Sequence, residues 1–150
     1  KTGDNFELLL RHLWVAEIVM EKTNSRTDEV SNFYATLRKA LIKVIRSVHC
    51  DYDTAKNSLT NAIGFCRGFD TVLSLNYDLT AYWMLLYSND LNKGHKFKDC
   101  FNGARFADDW SKYREAIGGQ TDVTLLFYPH GAIHLFENLK HGIQVKVTAY

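Results

Sequence analysis

The sequence predicts a mixed α/β layer fold, and three observations carry that prediction. Between Asp70 and Tyr87 a short apolar run of strand length (Val72, Leu73, Leu75) passes through Asn76-Tyr77-Asp78 into residues spaced at three and four: Tyr77, Ala81, Met84, Leu85 and Ser88. Ahead of it lie long stretches of helical period, and behind it, from Thr121, lie runs of strand composition. Helices, a strand, a helix and then several strands form the element pattern of an α/β protein. A length of 150 residues, 46% hydrophobic and 13% aromatic, suits one domain with a substantial core.

Taken in order, Asp4 with Glu7 three residues on resembles a capping box, so a first helix should begin there. Phe6, Leu9, Leu10, Leu13, Trp14, Ala16, Val19 and Met20 give it a wide apolar stripe until Thr23-Asn24-Ser25 breaks the period. A second helix is expected from about Asp28 to His49, striped by Val30, Phe33, Leu37, Ala40, Leu41, Val44, Ile45 and Val48. Its Arg38, Lys39, Lys43 and Arg46 read as a solvated face. A weaker helical pattern from Asp53 to Cys66 meets Gly68 as a stop. After the Asp70 strand and its helix, Ser88-Asn89-Asp90 ends the periodicity. The polar stretch from Leu91 to about Gln120 offers at most one short helix near Ala107 to Ile117; it suits a lid, a binding segment or a solvated insertion. Thr121 to Tyr128 reads as a buried strand ended by Pro129, the only proline. Ala132 to Phe136 and Ile143 to Val147 read as further strands, joined across Asn138 to Gly142 in hairpin fashion.

Several function classes are disfavoured. A net charge of +1 supplies no bulk field for nucleic acid or an acidic membrane, and the local patch from Lys93 to Lys98 is slight. Three isolated cysteines, Cys50, Cys66 and Cys100, fit neither a disulfide framework nor a paired-cysteine zinc site, so the expected compartment is the reducing cytoplasm. No apolar run approaches the roughly 18 to 20 residues that span a bilayer. His130 and His134 have four-residue spacing, but Gly131 and the strand-like surroundings argue against one helical face, and no metal is expected. Asp108-Asp109 suits a helix cap or solvated turn better than an acid/base pair, because adjacent side chains diverge. Ser74 lacks a nucleophile elbow, and no glycine-rich phosphate loop is present.

What remains is a pair of segments, Asn76-Tyr77-Asp78 and His130-Gly131, each placed just beyond a strand's carboxyl end. In open α/β sheets ligands bind there, and the following helix offers unpaired N–H groups and a positive dipole end. His130 could take a proton from a hydroxyl or water near neutral pH, Asn76 could hold a ribose or water, and Asp78 could orient either or cap the helix. The plain alternative is a cap at Asn76 and Asp78 and an ordinary turn at His130-Gly131.

These segments carry a family resemblance. Ser74-Leu75-Asn76-Tyr77-Asp78 is similar to the Thr-Thr-Asn-Tyr-Asp segment of sirtuin-like NAD-consuming domains, and Tyr128-Pro129-His130-Gly131-Ala132 resembles their Leu-His-Gly-Ser segment, in the same order and at similar spacing. Within that superfamily the chain resembles a bacterial group of unknown function with Asn-Tyr-Asp-Leu and His-Gly-Ala motifs, over about Phe6 to Val147. The resemblance implies a Rossmann-like sheet that binds NAD. His130 would match the catalytic histidine and Asn76 the asparagine near the nicotinamide ribose, while Ser74, Asn76, Asp78 and Gly131 would contact the cofactor. Several bacterial relatives are NAD hydrolases in antiphage defence. Deacetylation is disfavoured, since the zinc cysteines of classical sirtuins have no counterpart among Cys50, Cys66 and Cys100. The family's first strand and glycine-rich turn should precede Phe6, and the chain opens Lys1-Thr2-Gly3, so a fragment of a longer protein is expected. The competing expectation is a non-catalytic nucleotide-binding or interaction module, whose striped helices dock a partner domain or a second copy.

Overall fold

The computed structural model describes residues 5–91, 94–138 and 143–147. Helices α1 (Phe6–Lys22), α2 (Asp28–Val48) and α3 (Tyr52–Cys66) precede strand β1 (Thr71–Leu73) and helix α4 (Thr80–Leu91). Strands β2 (His95–Lys98), β3 (Phe101–Asn102) and β4 (Arg105–Phe106), a 3-10 turn (Trp110–Arg114), and strands β5 (Asp122–Phe127), β6 (Leu135–Asn138) and β7 (Ile143–Lys146) follow. The chain divides into two compact units, Lys1–Val48 and His49–Tyr150.

The first unit holds α1 and α2. Asn5, rather than Asp4, caps α1: its side chain accepts from Leu8 N–H at 2.9 Å, and the helix begins one residue later than a cap at Asp4 would place it. Thr23 closes the helix by donating its hydroxyl to the carbonyls of Val19 and Met20, and Asn24 turns the chain at φ +53°. Ser31 on α2 donates to the Glu17 carboxylate on α1. Neither helix has a buried residue, and Trp14, Val19, Phe33 and Val44 are about half exposed or more. Lys39, Lys43 and Arg46 lie exposed, as the expected solvated face requires, whereas Arg38 is half-buried.

The second unit contains the core. β1, β5 and β2 form a parallel sheet in that order, with β5 central. Val123 to Leu126 are all buried, as a central parallel strand covered on both faces requires. Helix α3 turns Ala55, Leu59 and Ile63 inward, and α4 does so with Tyr82, Met84, Leu85 and Ser88. β3, β4, β7 and β6 form a second, antiparallel sheet. The fold is therefore α/β, with a three-stranded parallel sheet, flanking helices and a small antiparallel sheet toward the C-terminus. No helix of the described residues is long and apolar enough to cross a membrane.

Several boundaries differ from the sequence pattern for identifiable reasons. α4 continues through Ser88-Asn89-Asp90 to Leu91 because Asn89 is tied from outside: its amide donates to Phe97 O at 2.8 Å, and its Oδ1 accepts from Phe97 N at 3.0 Å. Leu75 lies beyond β1, and Tyr77 precedes α4. The stretch after Leu91 contains three strands, including the third strand of the parallel sheet. β2 was hidden by its composition, His-Lys-Phe-Lys, although it alternates correctly: His95 and Phe97 are buried, and Lys96 and Lys98 less so. His95 is accommodated by donating to Thr124 Oγ1 at 2.9 Å, while that hydroxyl donates to Phe69 O at 2.7 Å. β6 begins only at Leu135, since Ala132 to His134 form a turn. The hairpin connection expected over Asn138 to Gly142 falls, from position 139 to 142, outside the described residues.

Candidate functional site

β1 and β5 are adjacent and parallel, with Leu73 opposite Phe127, and Ser74 N–H donates to Phe127 O at 2.8 Å. Two parallel neighbours ending in register must release their following loops at the same sheet edge. The segments Ser74 to Asp78 and Tyr128 to Gly131 leave together, and Ile133 N–H donates to Tyr77 O at 2.7 Å across to the first of them. Asn76 and His130 are exposed at this edge, and Ser74, Asp78 and Gly131 are half-buried. Gly131 N–H closes the turn on Tyr128 O at 2.9 Å, with Pro129 supplying its preset backbone angle and Gly131 a φ of +79° that L side chains rarely adopt.

The start of α4 is already occupied. Asp78 Oδ1 accepts from Thr80 N–H at 2.9 Å, an Asx turn that leads into the helix and satisfies its first N–H. Leu79 N–H donates to His49 Nε2 at 2.8 Å, which makes Nδ1 the protonated nitrogen, donating to Cys50 O at 2.7 Å. Trp83 holds the His49 ring edge-on at 4.6 Å. The expectation of unpaired donors here is thus corrected for Leu79 and Thr80, whose N–H groups are satisfied within the chain. Nothing in the sequence near His49 signalled this role, because its partner lies 30 positions away.

Beside this edge opens a cleft of about 580 Å³. Leu73, Phe127, Tyr128 and Pro129 form one wall, and Asp99, Phe101, Arg105, Phe106 and Asp108, from the stretch after β2, form much of the other. Ser74, Asn76, Asp78, His130 and Gly131 are not among its lining residues; Ser74 and His130 are the chain neighbours of Leu73 and Pro129, which are. Three of its rings are in mutual contact, Phe101 with Phe106 at 5.3 Å and Phe106 with Phe127 at 6.4 Å between centroids, and Trp110, outside the lining, meets Phe127 edge-on at 5.5 Å. Asp109 stands at the N-cap of the 3-10 turn and pairs with Lys112 at 2.8 Å, the turn role its sequence suggested.

Behind the cleft lies a buried polar cluster. Asp99 holds Lys146 of β7 at 2.6 Å, an ion pair joining the segment after β2 to the antiparallel sheet. His134 is fully buried, stacked on Tyr82 at 4.6 Å and edge-on to Tyr128 at 5.1 Å. Its two ring nitrogens and the Tyr128 hydroxyl have no hydrogen-bond partner among the described residues. Burial pushes the His134 imidazole down to about 4, against the attraction of Asp99, so it is neutral at pH 7. Burial likewise raises the Tyr128 phenol. Cys100, also fully buried, adopts φ +61°, and burial with the nearby Asp99 charge pushes its thiol up to about 11, far from a thiolate nucleophile. Among the described residues no three His, Cys, Asp or Glu side chains are placed to hold a metal ion.

A family model described as "Domain of unknown function (DUF4917)" matches residues 1–149. The chain belongs to that family. No curated protein matches it. The DUF4917 match spans both units and both loops of the shared edge, and its description assigns no activity, so the sirtuin-like reading rests on the motifs alone.

Proposed function

We propose that this DUF4917 chain binds NAD at the edge where β1 and β5 end and hydrolyses its nicotinamide N-glycosidic bond. The observation supporting this reading is the shared edge: the Leu73–Phe127 register and the Ile133–Tyr77 hydrogen bond bring the two motif-bearing loops together beside a cleft. In the reaction the C1′–N bond breaks, its electron pair leaves with neutral nicotinamide, and water adds to the oxocarbenium-like ribose. His130 accepts the proton that water or a ribose hydroxyl loses, and Asn76 positions that oxygen by its amide. Asp78, by accepting from Thr80 N–H at the start of α4, holds the Asn76 loop in place; Ser74 and Gly131 shape the cofactor-facing backbone of the two loops. The relatives named by the resemblance suggest a cytoplasmic role in bacterial antiphage defence. The test is NAD binding by calorimetry together with nicotinamide release, in the chain and in Asn76→Ala. Release that survives loss of the Asn76 amide would remove its assigned role; absence of release in the parent chain would remove the hydrolase reading.

One observation favours a second reading, a non-catalytic nucleotide-binding or interaction module. α1 and α2 leave Trp14 49%, Val19 54%, Phe33 53% and Val44 60% exposed, apolar surface suited to a partner domain or a second copy. Tight NAD or ADP-ribose binding without nicotinamide release, with an assembly that dissociates on Trp14→Ser, is the outcome that would select it.

A further inference from the structure

We infer that helix α2 docks against α2 of a second copy of this chain, antiparallel across a two-fold axis, so that Glu29 of each copy meets Lys43 of the other. The inference rests on the exposed apolar surface that favours the interaction reading, and it names the occupant of that surface. α2 carries two apolar stripes. Val30, Tyr34, Leu41 and Ile45 form one, and all four are half-buried. Phe33, Leu37, Ala40 and Val44, at intervals of four, three and four, form the next stripe round the helix. Leu37, where the two stripes adjoin, is half-buried, while Phe33, Ala40 and Val44 are exposed. Intervals of three and four make the seam of a paired helix, so a seam of this kind left at the surface points to a partner helix.

The charges beside the seam select the partner. Glu29 stands in the first turn of α2, and Lys43 follows it by two heptads, which places both on the same flank of the Phe33 to Val44 stripe. Both are exposed. Asp28, the other first-turn acid, already pairs with Arg26 at 3.2 Å. An acid and a base on one flank, toward opposite ends of one helix, are complementary to their own two-fold copy. An antiparallel neighbour centred near Thr36 sets Glu29 beside Lys43 twice over, whereas a parallel neighbour sets Glu29 level with Glu29 and Lys43 level with Lys43. Antiparallel pairing also brings opposite helix ends together, which the helix dipoles favour. The 21 residues of α2 span about 31 Å. Two such helices in contact along their length bury on the order of 1,000 Å², the lower bound for a specific interface, so the expected complex is a weak, reversible dimer in the micromolar range.

The experiment is analytical ultracentrifugation of the whole chain from low micromolar to several hundred micromolar, at low and high salt. It is repeated on Val44→Asp, Glu29→Lys, Lys43→Glu and the double reversal, with helix content checked by circular dichroism. The parent should dimerise. Val44→Asp should weaken the dimer about a hundredfold or more, because each copy then brings a charge into the seam. Either single reversal should weaken it about tenfold at low salt, since two attractive contacts become repulsive, and the difference should shrink at high salt. Glu29→Lys combined with Lys43→Glu should restore the parent's affinity. A parent monomeric throughout the range, a dimer indifferent to Val44→Asp, or single reversals that are without effect or not rescued by the double variant would overturn the inference. A monomer that binds or hydrolyses NAD would overturn it while leaving the nucleotide reading in place. The dimer as described, releasing nicotinamide from NAD, would uphold it and remove the non-catalytic reading.

Discussion

His130 and His134 stand one turn of chain apart and in opposite circumstances. His130 is exposed on the tight turn that leaves β5, whereas His134 is fully buried in the following turn, between Tyr82 and Tyr128. The outward turn is built from Pro129 and Gly131, residues chosen for backbone shape; the inward one is built from Ala132 and Ile133, residues chosen for packing. The same imidazole therefore has different work available to it. At the surface it can meet a substrate, while in the core it remains neutral and unable to exchange protons near pH 7. Four-residue spacing between histidines thus says nothing about a shared metal when a glycine turn lies between them.

The largest expected effect tests the inward region. Lys146→Ala leaves Asp99 buried and unpaired, which should cost about 3 kcal/mol in denaturant unfolding. Replacing both partners together, Lys146→Met with Asp99→Leu, should recover much of that loss, because the cost comes from the orphaned charge. A small effect of Lys146→Ala would mean that the inward cluster does not hold the fold.

Acid should separate the two turns next. The His134 imidazole titrates near its ordinary 6.5 when unfolded and at about 4 when folded. Between those values the unfolded chain binds the proton and the folded chain does not, so the stability it contributes is whole above pH 6.5 and is lost as pH falls toward 4. The loss attributable to His134 is about 3 kcal/mol. Unfolding midpoints from pH 7 to 4 should fall less steeply in His134→Phe than in the parent; parallel curves would contradict the burial argument.

Smaller effects probe the outward region. Gly131→Ala has open space around the new Cβ but must adopt φ +79°, so it should cost about 1 to 2 kcal/mol from backbone strain alone. Asp78→Ala removes the acceptor of Thr80 N–H and should cost about 1 kcal/mol, with Asp78→Asn retaining most of the stability. Thermal unfolding of the three variants against the parent measures both.

How much of this was readable beforehand follows the same division. The helices, β1, β5 and the shared edge of Asn76 and His130 were legible, because each depends on local period or on a strand ending at a polar turn. β2 was not, since its inward residues include His95, whose acceptability depends on a Thr124 hydroxyl brought from another strand. The same is true of α4 beyond Ser88, carried by Asn89 bonding to Phe97, and of the Asp99–Lys146 pair, whose partners lie 47 positions apart. His49 at the start of α4 belongs with them. Polar residues whose partners arrive through tertiary structure leave no periodic trace, and one wall of the cleft comes from such a segment.

The most direct measurement compares nicotinamide release from NAD by the parent, His130→Ala and His134→Phe, each beside its own thermal unfolding curve. His130→Ala should unfold as the parent does, as a surface change should, and release nicotinamide at least a hundredfold more slowly, the lower end of a lost general base. His134→Phe should keep its turnover at neutral pH. Turnover retained in His130→Ala, or lost in a folded His134→Phe, would contradict the assignment of chemistry to the outward turn and of structure to the inward one.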